Sequence, residues 1–437
     1  MQNHTNATGS GVIIKGNLIL TNAHVVSDST NILVQKENDP EKFAAEVLFI
    51  AHECDLALLN VSDTSFFEGT NIIELSTIIP DLESTVVTYG YPTGGSRISI
   101  TKGIISRIEN RVYSHSGYSF LTVQTDAAIN EGNSGGPVIQ DDKIVGIAFQ
   151  IISDAESIGY MIPTTVINHF LTDIEDNFYD GFPQIWFNLS TLENEDFRNF
   201  LEMDNSLTGI IVTNILNDTE DNIRLQDIIL KIDGIDVAND GSIPFGTGRI
   251  LVTELFSSKQ FGEYINFEIL RDGEIINFDI ELVKHSDRIE NNNTYESLPK
   301  YFIFAGIVFQ PLSLDYLKTW KDWYYNADKR MLYYYYYNYK DELFPEREEF
   351  IIINHVLPDS VNTYISSVDD KVVNTVNNII INNFDDLIEA FEHPVNGYHI
   401  ITLDNDYKPL VIKAENLEEA NVRILNNYNV PEDRMLD

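Results

Sequence analysis

Gly132-Asn133-Ser134-Gly135-Gly136-Pro137 stands between two strand-like runs, residues 121–125 and 143–148. Glycines on both sides of one serine let the backbone turn sharply, expose the hydroxyl and aim successive N–H groups at one point. An oxyanion hole requires that arrangement, and losing one of its donors typically lowers a rate by about 10²–10³. The N–H groups of Gly132 and Ser134 are the expected donors. Standing alone, the segment reads more readily as a glycine-rich turn with an idle serine. Two upstream stretches change its meaning. Leu18-Ile-Leu-Thr-Asn-Ala-His24-Val-Val26 puts a histidine directly after an apolar run, and Cys54-Asp55-Leu-Ala-Leu-Leu59 puts an aspartate at the start of another. A serine hydroxyl is a poor nucleophile until a neutral imidazole takes its proton, and the imidazole needs a carboxylate to fix its tautomer. All three groups occur here, in the order His24, Asp55, Ser134.

Nearby rivals carry less. His52 lies three residues before Asp55 but lacks the strand-then-loop setting of His24. Cys54, a small thiol beside strand residues, reads as inert core.

From residue 11 to about 162 the chain is a series of short β-rich runs, at 12–14, 18–21, 32–35, 85–89 and 121–125, punctuated by Gly, Asn, Asp and Ser. That spacing predicts a barrel or sandwich. Pro163 then opens a helix predicted over 164–176, with Val166, Ile167, Phe170, Leu171 and Ile174 on one face. A boundary is expected after residue 178. Beyond it lies an internal repeat: Gly209-Ile-Ile-Val-Thr-Asn-Ile-Leu-Asn-Asp-Thr219 aligns with Phe350-Ile-Ile-Ile-Asn-His-Val-Leu-Pro-Asp-Ser360. Residues 227–232 and 264–282 have counterparts at 370–376 and 398–414, and Arg271-Asp272-Gly273-Glu274 is a hairpin signal. Three domains are therefore expected, 1–178, 179–296 and 297–437. The last carries an extra stretch, 311–349, with Trp320, Trp323 and five consecutive tyrosines, Tyr333 to Tyr337. Five tyrosines in a row cannot all face one core, so this stretch serves either structure and assembly or ligand binding.

Composition narrows the function. At 437 residues with 43% hydrophobic content the chain can bury several cores. Its formal charge of −40 and the lack of a basic stripe exclude nucleic acid as an expected partner. One cysteine rules out an intrachain disulfide and any Cys-based metal site, and the acidic runs, such as 193–196, read as solvated surface. No metal or cofactor is expected. No run of 18 apolar residues occurs, and residues 1–11 lack the basic and apolar regions of a signal peptide, so neither a membrane span nor secretion is expected. A soluble intracellular protein is the reading that fits.

The stretches Thr8-Gly-Ser-Gly11, Thr21-Asn-Ala-His-Val-Val26, Asp55-Leu-Ala-Leu-Leu59, Tyr89-Gly-Tyr-Pro92, Thr125-Asp-Ala-Ala-Ile-Asn130, Gly132 to Pro137 and Ile158-Gly-Tyr-Met-Ile-Pro163 together resemble the HtrA/Deg serine proteases. The likeness spans nearly all of the first domain. It implies a mainly β chain: a chymotrypsin-like double β-barrel followed by two PDZ-like α+β modules, as in a Deg branch of plants and some bacteria. Family members usually carry another strand ahead of Thr8, so the first barrel is expected to be short of one. Carried onto the matching positions, the resemblance makes Ser134 the nucleophile, His24 the general base and then acid, and Asp55 the orienting carboxylate. Gly132 and Ser134 would hold the oxyanion. Ala128, six residues before Ser134, would sit at the base of the specificity pocket with Ile129 and Met161 nearby, implying cleavage after small or medium apolar residues.

PDZ-like modules bind peptide C-termini by strand addition to a sheet edge. The first module's Ile185-Trp-Phe-Asn-Leu189 has no glycine where a carboxylate loop is expected, whereas Phe304-Ala-Gly-Ile-Val308 in the second keeps one. The family resemblance also implies homo-oligomers, polypeptide substrates, and ATP-independent cleavage of unfolded or damaged proteins in quality control. The alternative is a proteolytically inactive PDZ scaffold or holdase chaperone.

Overall fold

The computed structural model describes residues 7–37, 39–92, 97–130, 132–151, 159–215, 223–284, 295, 297–321, 323–337 and 347–436. It forms two compact units, Met1–His285 and Ser286–Asp437. The expected boundary at 296, the end of the first repeat (216–219) and residues 338–346 of the aromatic insert lie outside the described residues.

The first unit opens with β1 (Val12–Ile14), β2 (Leu18–Thr21), the single-turn helix α1 (Ala23–Val26), β3 (Ile32–Gln35), β4 (Lys42–Ala51) and β5 (Leu56–Asn60). They form a five-stranded sheet in the order β1-β2-β5-β4-β3. The unbroken apolar run of β5 follows from its central place. Leu56 and Leu58 face one core with Ile162 and Phe170, while Ala57 and Leu59 face another with Ile19 and Phe66. Next come β6 (Thr85–Gly90), β7 (Ser99–Val112), β8 (Ser119–Thr125), β9 (Pro137–Gln140), β10 (Lys143–Ile151) and β11 (Gly159–Pro163). These close into a six-stranded barrel, β10-β11-β8-β7-β6-β9, filled by Val86, Ile105, Val123, Val138, Ala148 and Met161. The helix expected after Pro163 is α2 (Thr164–Asp173), continued by a 3₁₀ turn over Ile174–Asp176. Its Val166, Ile167, Phe170 and Ile174 pack with Leu56 and Leu58, so the helix ties the open sheet to the barrel.

The same unit continues through β12 (Phe187–Thr191), α3 (Glu195–Phe200), β13 (Ile210–Ile215), β14 (Ile228–Ile232), β15 (Ile235–Asp236), β16 (Ser242–Phe245), β17 (Gly248–Leu251), α4 (Glu254–Ser257), β18 (Tyr264–Arg271) and β19 (Glu274–Glu281). Its sheet runs β12-β13-β14-β18-β19. The β18–β19 hairpin turns at Asp272 and Gly273, both at positive φ, as the Asp-Gly pair predicts. Leu121 of the barrel belongs to the core of this module, which fastens the two together.

The second unit contains β20 (Tyr301–Phe304), β21 (Ile307–Pro311), α5 (Leu314–Leu317), α6 (Trp323–Asn326), α7 (Lys329–Tyr337), β22 (Ile351–Val356), β23 (Lys371–Val376), β24 (Ile379–Ile380), α8 (Phe384–Phe391), β25 (Tyr398–Leu403), β26 (Leu410–Lys413), α9 (Leu417–Tyr428) and β27 (Arg434–Met435). The sheet order is β26-β25-β23-β22-β21-β20-β27. β22 and β23 pair with each other in this sheet as β13 and β14 do in theirs, as the repeat predicts. Within the tyrosine run, Tyr334 and Tyr335 are buried with Leu317, Phe350 and Ile352, and Tyr333 faces solvent. Part of the insert is thus core for its own unit.

The seam between barrel and first module holds a buried acid. Asn110 of β7 donates through Nδ2 to Glu254 Oε2 at 3.1 Å and accepts from the Leu251 N–H at 3.1 Å. Burial pushes the Glu254 carboxyl up to about 7, against the partial offset of the Asn110 and Ser257 bonds. The folded chain therefore keeps a proton that the unfolded chain releases at ordinary carboxylate pH. Stability falls as pH rises through that window and the full penalty is present above about 7. Glu254→Gln is expected to stabilise the protein by about 3 kcal/mol at pH 8 and by almost nothing at pH 4. Thermal unfolding at the two pH values checks this, and an equal gain at both would refute the ionisation account.

Candidate active site

Ser134 lies in the loop between β8 and β9, and its position is set largely by backbone contacts. Gly132 and Gly135 adopt φ of +93° and +85°, the left-handed region that glycine tolerates. A Cβ on Gly135 would come within 2.0 Å of the Ser10 carbonyl oxygen, and one on Gly136 within 2.1 Å of that of Tyr89. Ser10 buttresses the loop. Its N–H donates to the Ser134 carbonyl at 2.8 Å, its hydroxyl donates to the Gly132 carbonyl at 2.7 Å and accepts from the Tyr91 N–H at 2.9 Å. Thr21, three residues before His24, donates its hydroxyl to the Ser10 carbonyl at 2.7 Å. The Gly135 N–H is used by the Ala148 carbonyl at 2.8 Å. The N–H groups of Gly132 and Ser134 have no hydrogen-bond partner among the described residues.

His24 sits in α1 at the end of β2, and Asp55 occupies the turn before β5 at φ +56°. One Asp55 oxygen accepts the His24 backbone N–H at 2.9 Å, and the other meets His24 Nδ1 at 2.7 Å. Asp55 is buried, with its own carbonyl bonded by Asn22 Nδ2 at 2.8 Å. A carboxylate gripping both main chain and ring of one histidine leaves the ring a single orientation and holds its proton on Nδ1. Nε2 is then the free base. The Ser134 hydroxyl donates to the Phe149 carbonyl at 3.3 Å rather than to His24. The structure thus joins His24 to Asp55, and brings Ser134 into the loop anchored on Ser10 and Thr21.

Of the other expected site residues, Ala128 is exposed and its carbonyl accepts from the Thr101 hydroxyl at 2.9 Å. Ile129 and Met161 belong to the barrel core. His52 bonds through Nδ1 to Nε2 of His115 at 2.9 Å, and the His115 ring lies 6.1 Å from that of His24. Burial first, then the neighbouring Glu53 and Asp55, pushes the Cys54 thiol well above its ordinary range, so it stays a thiol. Two contributors had no legible role in the sequence. Ser10 stands in a Thr-Gly-Ser-Gly stretch that by its residues alone points to no part in the site. His115 comes from the turn between β7 and β8, where no spacing rule points to it.

A trypsin-like peptidase domain matches residues 9–147, and a PDZ domain matches residues 290–437. Protease Do-like 4, mitochondrial, of Arabidopsis thaliana is 38% identical over 427 residues, covering 97% of this chain and 79% of that protein. The chain belongs to the Do-like (HtrA/Deg) serine protease family. Protease Do-like 2, chloroplastic, of the same plant is 33% identical, covering 100% of this chain and 72% of its own length. The solved HtrA-type protease AlgW with tripeptide superposes with a TM-score of 0.52 at 24% identity, over 64% of this chain and 90% of that one, a likeness of fold. This Do-like protein is a serine protease, with a trypsin-like domain and a PDZ domain in a mostly β chain. Among the described residues no helix is long and apolar enough to cross a membrane.

Proposed function

We propose that Ser134 is the nucleophile of this protease, His24 its general base and then acid, and Asp55 the carboxylate that orients His24. The observation that carries this reading is the double grip of Asp55 on His24, at 2.7 and 2.9 Å. To react, the Ser134 hydroxyl leaves the Phe149 carbonyl and donates to His24 Nε2, a tightening common on substrate binding. Its oxygen then attacks the scissile carbonyl while its proton passes to His24. The oxyanion takes the open N–H groups of Gly132 and Ser134. His24 hands the proton to the leaving amine, and water repeats the cycle to release the acyl group.

The substrates in this reading are unfolded or damaged polypeptides, cleaved without ATP, in protein quality control. Ala128 offers no carboxylate to a basic side chain, and in this reading small or medium apolar residues are favoured before the cut. Casein degradation by wild type and Ser134→Ala tests both parts. Wild type is expected to cut after residues such as Val, Ala or Leu, read by mass spectrometry, and the variant not at all. Hydrolysis retained in the variant would eliminate Ser134 chemistry; cuts after Lys or Arg would eliminate the pocket; no hydrolysis by either would leave a binding role.

Peptide C-termini are the proposed ligands of the first C-terminal module. β12 ends its sheet, so it has an edge for an added strand, whereas β21 is bonded on one side by β20 and on the other by β22. Leu189→Pro, which removes an N–H and disturbs β12, is expected to weaken an apolar C-terminal peptide at least about tenfold by calorimetry. Unchanged affinity would place the ligand elsewhere.

A further inference from the structure

Glu53 precedes Asp55 by two residues and takes no part in the chemistry above. Its carboxylate is nevertheless partly buried, and one of its oxygens takes two donors. Oε1 accepts the Tyr179 hydroxyl at 2.5 Å and the Phe182 N–H at 3.1 Å. Gly181 lies so close that a Cβ there would fall 2.5 Å from the same oxygen. Burial raises the Glu53 carboxyl, and the Tyr179 and Phe182 bonds offset part of that rise.

Residues 179–182 are the chain's exit from the protease part toward β12. Asp173 of α2 accepts the N–H groups of Asp180 and Gly181 at 3.0 and 3.1 Å, and Phe182 stacks on His169 at 3.9 Å. Lys284, just past the module's last strand, reaches back to donate to the Asp180 carbonyl at 2.8 Å. Glu53 therefore holds the segment where the chain enters the first module, and that segment in turn takes the bond from the residue just past the module's last strand. On its other side, the Glu53 carbonyl accepts the Ser116 hydroxyl at 2.8 Å. Ser116 belongs to the turn that carries His115 beside His24.

We propose that Glu53 is a positioning residue: it clamps the module's entry segment and the His115 turn onto the Asp55 turn, and so keeps Asp55 where it can orient His24. The inference rests on the proposed His24–Asp55–Ser134 reading. Asp55 holds a positive φ, a conformation that persists only when the surroundings impose it. Flanking bonds to Tyr179, Phe182 and Ser116 supply that restraint. A displacement of about 1 Å in a catalytic group can cost about 10²-fold in rate, so the clamp acts on kcat rather than on substrate affinity.

The role needs an acceptor at Oε1 and not a charge, because both partners donate. Glu53→Gln keeps the acceptor, Glu53→Ala removes it, and Tyr179→Phe removes one donor while keeping the ring. The full chain is assayed on a short fluorogenic peptide, with fluorophosphonate labelling of Ser134 and thermal unfolding alongside. Tyr179→Phe is expected to lower kcat about fivefold and Glu53→Ala about thirtyfold, both with KM within about twofold of wild type. Glu53→Gln is expected to stay within about twofold in kcat. Should Glu53→Ala fail to fold, Tyr179→Phe and Glu53→Gln still decide. Wild-type kcat in Tyr179→Phe, or a Gln variant as impaired as the Ala variant, overturns the inference while a labelled wild type leaves the protease reading standing. A wild-type chain that neither labels nor hydrolyses removes both.

Discussion

Ser134→Ala lowers kcat by about a million-fold, to the limit of detection, if the hydroxyl is the nucleophile; removal of this group in other serine proteases has that size of effect because nothing else in the site can attack. The variant is also expected to fold normally. Among the described residues the only hydrogen bond that its hydroxyl makes is the long one to Phe149, 3.3 Å, worth at most about 1 kcal/mol. The loop itself is held by main-chain and Ser10 contacts that alanine leaves in place. Loss of turnover with an unchanged unfolding midpoint is therefore the diagnostic pair. Turnover above about 1% of wild type would mean that another group attacks the peptide bond.

Asp55→Asn is expected to cost about 10⁴-fold in kcat. The asparagine fits the same space and can still accept the His24 N–H bond made at 2.9 Å. Its amide NH₂, however, faces His24 Nδ1 at the position where a carboxylate oxygen stood 2.7 Å away. Two donors cannot share that contact, so the ring proton moves to Nε2 and the nitrogen needed to accept from Ser134 is blocked. A loss under tenfold, measured with the KM for the same peptide, would show that Asp55 does not set the tautomer. Asp55→Asn and Ser134→Ala together should cost little more than Ser134→Ala alone, because the residues act as a unit.

The first sheet and the barrel were legible because their strands are short, apolar and bounded by turn residues. β1, β2 and β3 begin and end where the runs at 12–14, 18–21 and 32–35 do. The helix after Pro163 was legible from its 3.6-residue spacing, down to Ile174 in the final turn. The internal repeat foretold β22 and β23 from β13 and β14. Less of the site's surroundings could be read. Ser10 and Ser134 are 124 positions apart along the chain, yet one hydrogen bond of 2.8 Å joins their backbones. The aromatic insert was open between two roles because the sequence does not say which tyrosines turn inward; packing selects Tyr334 and Tyr335 and leaves Tyr333 outside.

By itself the sequence determined the chemistry available to this Do-like protease: a serine among glycines, a histidine after one apolar strand and an aspartate ahead of another, with modules of a repeated pattern behind them. Those features are local, since they depend on neighbours within a few positions and on periodicity. Only the tertiary structure decided that Asp55 holds both the ring and the main chain of His24, that Ser134 rests on the Phe149 carbonyl, and that Glu53 holds the segment entering the first module. The reason is geometric. Such contacts are made between groups 15 to more than a hundred positions apart, whose approach within about 3 Å is set by how the strands pair and the cores close.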